Sequence, residues 1–149
     1  MSLQLNALKV AQTQVGQKEN PVGSNWGEPV KSYLASVGIS FPASWCMAFV
    51  YWCFRQATKD PLPLIQTGGV LRAWNESKKN RVIGEPMAGD IFIMDFGKGL
   101  GHTGIVEKLD AAFIYTIEGN TNDTSSREGI EVARRKRPRN KIKGYLRYL

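Results

Sequence analysis

The chain has 149 residues, 42% hydrophobic and 22% charged. That is the length and balance of one globular domain, in which folding hides about two-thirds of the extended chain's surface. Its 20 Lys+Arg against 13 Asp+Glu leave a formal charge of +7, which favours an anionic partner such as nucleic acid, a membrane surface or an acidic wall polymer. Two cysteines are too few for a disulfide framework. One histidine with no CxxC or HxxxH pair is too little for zinc or haem, so neither a metal nor a cofactor is expected.

In chain order, Leu5, Leu8, Ala11 and Val15 recur at helical spacing and Gly16 follows as a stop. Asn20 to Asn25 is turn chemistry. Trp26 to Val37 predicts a second helix, with Val30, Tyr33, Leu34 and Val37 on one side and Gly38 at its end. Phe41-Pro42-Ala43 forces an extended entry to a third helix, which Ser44 can cap and which carries Cys46. Apolar almost all round, that helix is expected at the centre of the fold. Its longest apolar run, Met47 to Phe54, is far too short to span a bilayer, so no membrane insertion is expected. A fourth helix is predicted from Val70 to about Lys78.

Beyond Asn80 the period changes from helix to strand. Runs of strand type begin at Asp90 (to Met94), His102 (to Glu107), Ala112 (to Glu118), Ile130 (to Arg135) and Gly144 (to Leu149). Pro86-Met87-Ala88-Gly89 turns into the first, and the glycine-rich Phe96 to Gly101 joins the first two. Helices followed by an antiparallel meander give an α+β fold of about four to six strands, as a single domain over residues 1–149.

Cys46 stands at the start of its helix, where the first free N–H groups and the positive end of the helix dipole favour a thiolate. Cys53 lies one heptad on, roughly 10 Å away along a helix and beyond bridging distance, so both thiols are expected to be free. Cys53 reads as a small core hydrophobe. His102, the only imidazole, begins a strand among glycines. In the strand Phe113 to Glu118 the side chains alternate, which puts Glu118 on the face of Ile114 and Thr116, with Asn120 two residues on. Either Glu118 or Asn120 could accept a hydrogen bond from the far ring nitrogen of His102, completing a nucleophile–base–orienter set. Taken singly, each residue has a plain structural reading: a core cysteine, a buried histidine, a solvated strand end and a turn asparagine. The basic run Arg134 to Lys143 reads either as a strand edge guarded by charge or as an anion patch.

Five separated segments resemble a known family. Trp45-Cys46-Met47-Ala48-Phe49-Val50 is similar to the nucleophile motif of CHAP domains, the cysteine- and histidine-dependent amidohydrolases/peptidases that cut bacterial peptidoglycan. Pro86 to Ile91 resembles that family's entry to its first strand, and Gly101-His102-Thr103-Gly104-Ile105-Val106 its histidine strand. Ile117-Glu118-Gly119-Asn120-Thr121-Asn122 resembles the segment supplying its polar third residue, and Ile142 to Tyr148 resembles its closing strand. In register from Ala7 to Tyr148, the resemblance implies a papain-like fold with Cys46 as nucleophile, His102 as base, Glu118 as third member and Asn120 beside it or in its stead. It also implies a monomeric enzyme acting on peptidoglycan, as an N-acetylmuramoyl-L-alanine amidase or a peptide endopeptidase. With no signal-type apolar stretch in MSLQLNALKVAQTQ, such an enzyme is expected to be made in the bacterial cytoplasm and to reach the wall after lysis or by specialised export.

Two departures from the family are visible. The aspartate-rich calcium loop of some wall-lysing relatives is replaced by Gly38 to Ser44, which has no acid, so no calcium is expected there. Many relatives also carry a separate wall-binding module, for which 149 residues are expected to leave no room. The related NlpC/P60 group often uses a second histidine as third member, which a chain with one histidine does not supply. The rival readings are a non-catalytic wall-binding protein on the same scaffold and, less favoured, nucleic-acid binding through Arg134 to Lys143 with Tyr145 and Tyr148 as stacking partners.

Overall fold

A computed structural model describes residues 2–121 and 129–149. Four α-helices come first: α1 (Leu3–Gln14), α2 (Val30–Ser36), α3 (Cys46–Ala57) and α4 (Val70–Asn75). They are followed by five strands: β1 (Ile91–Gly97), β2 (Leu100–Leu109), β3 (Phe113–Thr121), β4 (Glu131–Pro138) and β5 (Gly144–Leu146). The strands form one antiparallel sheet in the order β4-β3-β2-β1-β5. This is the expected α+β architecture of N-terminal helices packed on an antiparallel sheet.

Helix α1 starts where Ser2 accepts from the Leu5 amide, and Gly16 follows it at φ +97. Helix α2 is shorter than the pattern suggests. Residues 26–29 form an irregular lead-in, because Gly27 adopts φ +85 and Pro29 takes the cap position. The fourth helix also ends early, at Asn75, and residues 78–80 form a separate 3₁₀ turn. At α3 the cap is Trp45 with no side-chain cap bond, one residue later than the expected Ser44. Cys46 is thereby the first residue of the helix.

Helix α3 packs against α1 and α2 on one side and against β2 and β3 on the other. Met47, Ala48, Phe49, Val50, Cys53 and Phe54 are all fully buried there. The sheet is covered on both faces. Ile91, Ile93, Ile105 and Ile117 join the helical core, while Phe92, Met94, Val106 and Ile114 form a second cluster on the opposite face. That explains why β1 opens with an unbroken apolar run rather than an alternating one. Tyr145 packs against the second cluster and Tyr148 lies in the first, so core packing occupies both tyrosines.

A buried polar node closes the front of the molecule. The Gln4 amide donates to the Ala88 carbonyl and to Asp90 Oδ1, and its oxygen accepts from the Tyr148 amide. Arg147 makes a two-pronged ion pair with the fully buried Asp90, at 2.9 and 2.8 Å.

Helix α3 docks on β3 at Gly119, where a Cβ would sit 2.7 Å from Phe49 Cβ and 2.8 Å from Trp45 Cζ3. Gly119→Ala is therefore expected to push the start of α3 off the sheet and to cost about 1–3 kcal/mol. Urea denaturation checks this, and an unchanged midpoint would show that the contact yields freely.

Candidate active site

Three elements bring the expected residues together. Helix α3 presents Cys46 from its first position, 4% exposed. Strand β2 presents His102, 3% exposed and opposite Met94 of β1. Strand β3 presents Glu118, fully buried. His102 Nε2 lies 2.7 Å from Glu118 Oε1. The Cys46 side chain also acts on this ring, favouring its protonated form together with Glu118.

Glu118 is more heavily held than a simple orienter needs to be. Arg137 of β4 grips it bidentately, Nε to Oε2 at 2.8 Å and Nη2 to Oε1 at 2.6 Å. The Thr116 hydroxyl donates to Oε2 at 2.7 Å. Burial pushes the Glu118 carboxyl up, yet the bonds from Arg137 and His102 outweigh it and bring the group down to about 2. The carboxylate is thus ionised and can only accept, so His102 Nε2 donates and Nδ1 is the nitrogen left for the thiol. Burial also opposes charge on His102, but the bonds with Cys46 and Glu118 prevail and raise it from 6.5 to about 9.

These two shifts predict a stability profile. A raised imidazole stabilises the folded protein fully below pH 6.5, and that contribution fades as pH climbs to about 9. A lowered carboxyl stabilises it fully above pH 4.5, and that contribution fades as pH falls toward 2. The pair therefore contributes most between pH 4.5 and 6.5. Urea midpoints across pH should slope down on both sides, and His102→Ala should flatten the alkaline slope.

A family model for the CHAP domain matches residues 38–120, more than half of the chain. The chain belongs to the CHAP domain family. That family is one of peptidoglycan hydrolases, and the match includes Cys46, His102, Glu118 and Asn120. It does not reach Arg137 or the closing strand. A crystal structure of the wild-type endolysin LysIME-EF1 is similar in fold, with a TM-score of 0.57 at 17% identity, over 99% of this chain and 65% of that one. The CHAP chain thus spans about 65% of the endolysin's length. No curated protein matches the sequence.

Of the two candidate orienters, Glu118 makes the bond to His102. Asn120 lies beside it at φ 55, where the β3–β4 register shifts between Glu118 and Thr121. It is 2% exposed, and its Oδ1 has no hydrogen-bond partner among the described residues. Asn122, the last residue of the fourth motif, lies outside the described residues.

Sequence reasoning missed Arg137, which was hidden in the basic run. The available signal was pairing: residue 137 stands opposite Ile114 across β3–β4, so it shares the Thr116–Glu118 face. No group of three or more His, Cys, Asp or Glu among the described residues is placed to hold a metal. No helix among them is long and apolar enough to cross a membrane.

Proposed function

We propose that this chain, as one catalytic domain, hydrolyses an amide bond in bacterial peptidoglycan with Cys46 as nucleophile. The observation that carries the reading is an imidazole bonded to an ionised, buried carboxylate and electrostatically coupled to a thiol at a helix start, within a CHAP chain.

In this reading Cys46 Sγ, as thiolate beside protonated His102, adds to the scissile carbonyl carbon. The backbone N–H of Cys46 steadies the oxyanion. His102 passes its proton to the leaving amine as the C–N bond breaks, giving a thioester and a neutral ring. Nδ1 then takes a proton from water, whose oxygen adds to the thioester. Expulsion of Sγ as thiolate releases the carboxylic acid, and the ring is again protonated. Glu118 holds the ring's tautomer and orientation throughout, and Asn120 stands close by as a polar neighbour.

The basic run supports a structural and wall-facing role better than a nucleic-acid site. Arg134 pairs with Glu107, Arg137 with Glu118 and Arg139 with Glu85, which leaves fewer free cations for phosphates. On an anionic wall, the net +7 of this domain favours attachment.

Digestion of purified peptidoglycan, read by mass spectrometry of the soluble fragments, tests the proposal. Peptides released with a free N-terminal L-alanine identify an amidase, and cuts within stem peptide or cross-bridge identify an endopeptidase. Binding to the wall with no fragments released supports the non-catalytic alternative and overturns the enzyme reading.

A further inference from the structure

We propose that Glu19 is a positioning residue for the nucleophile, acting through Trp45. This rests on the reading of Cys46 as the attacking group.

Glu19 is 3% exposed and lies outside the residues that perform the proposed chemistry. Its Oε2 accepts from Trp45 Nε1 at 2.8 Å, and its Oε1 accepts from the Gly23 amide at 2.9 Å. Its own amide donates to the Ile130 carbonyl, and Lys18 forms a bridge with Glu131 at the start of β4. The Glu19 side chain thus ties the 20–27 loop to the residue that precedes the thiol, while its backbone anchors the same segment to the sheet edge.

Trp45 is the piece worth fixing. Its carbonyl accepts from the Phe49 amide and closes the first turn of α3. Its fully buried indole stacks on Tyr33, with centroids 5.6 Å apart at 26°. The ring edge rests against Gly119, the residue between Glu118 and Asn120. The indole is therefore the spacer between the helix start that carries Cys46 and the strand end that carries the carboxylate. Stacking on Tyr33 leaves the indole free to slide in its own plane, whereas an acceptor at Nε1 fixes its angle. A buried indole N–H requires some acceptor. A carboxylate does more than meet that need, because it accepts from Gly23 at the same time.

The test uses Glu19→Gln, Trp45→Phe and the double variant, in the full chain. A glutamine offers one acceptor oxygen and turns an N–H₂ donor toward either the indole or Gly23. Phenylalanine keeps the ring and removes the donor. On soluble wall fragments, Glu19→Gln is expected to lower kcat ten- to hundredfold, the scale of a small misplacement of reacting groups, with KM within twofold. Trp45→Phe should show a similar loss, and adding Glu19→Gln to it should cost less than twofold more.

Iodoacetamide labelling of Cys46 gives a readout that mere loosening would move the other way. A thiol displaced from His102 alkylates more slowly, whereas a thiol exposed by unfolding alkylates faster. Unchanged kcat in Glu19→Gln, a loss borne by KM, undiminished loss in the Trp45→Phe background, or faster labelling would each overturn the proposal. If Glu19→Gln does not fold, Trp45→Phe decides by the same kcat and labelling criteria. If the wild type cleaves no wall fragment, the hydrolase reading falls, and the labelling comparison still decides whether Glu19 sets the thiol.

Discussion

Cys46→Ala is expected to release no peptidoglycan fragments while keeping the wild-type fold. The proposed route has no other nucleophile, so loss of Sγ removes the acyl-enzyme itself. The rate is expected to fall by about 10⁴-fold or more, as when the attacking atom of a nucleophilic enzyme is deleted. The structural cost is small, about 1 kcal/mol, because one buried sulfur at a helix end leaves a small gap.

The internal control is the other thiol. Cys53 is fully buried in α3, and burial raises its thiol well above the ordinary range. Cys53→Ala should keep activity within about twofold and lose about 1–2 kcal/mol of stability through the cavity it leaves. Fragment release by mass spectrometry and a thermal melt, run on both variants, read the two effects separately. Turnover by a well-folded Cys46→Ala protein would end the nucleophile assignment.

The second large effect belongs to a residue outside the reacting set. Arg137→Ala is expected to lower stability by about 3–5 kcal/mol, the usual consequence of stripping one partner from a buried ion pair. The Arg137 side chain is only 14% exposed and Glu118 not at all. The carboxylate would keep His102 and Thr116 but lose both guanidinium bonds. Activity should fall as well, because a carboxylate no longer clamped from behind swings the imidazole with it. Arg137→Lys restores the charge without the two-pronged geometry, so it should recover part of the stability and less of the activity. A urea midpoint in Arg137→Ala equal to wild type would show that the pair contributes nothing net.

The helix-to-sheet order, the central place of α3 and the grouping of Cys46, His102 and Glu118 were legible in the letters. Each rests on a short-range signal: apolar spacing, a strand period of two, or a compact motif. What stayed hidden depended on pairing between distant segments. Arg137 looked like one more charge in a solvated run, because only its position opposite Ile114 reveals which face it takes. Glu19 carried no signal of its own, because its two partners, Gly23 and Trp45, meet only after α3 has docked. Trp45 displaced Ser44 from the helix cap for a related reason: packing against Tyr33 and Gly119 outweighed the local capping preference. The choice between Glu118 and Asn120 turned on a register shift at the end of β3, which no alternation rule foretells.

The clamp on Glu118 reaches in from β4, which follows the three site elements in the chain. A ribosome that has delivered the chain only as far as β3 has already made the thiol, the imidazole and the acid, yet not the cation that steadies the acid. In the proposed reading, a copy stopped at β3 is a blunt tool, and the cutting edge is ground only when β4 folds home.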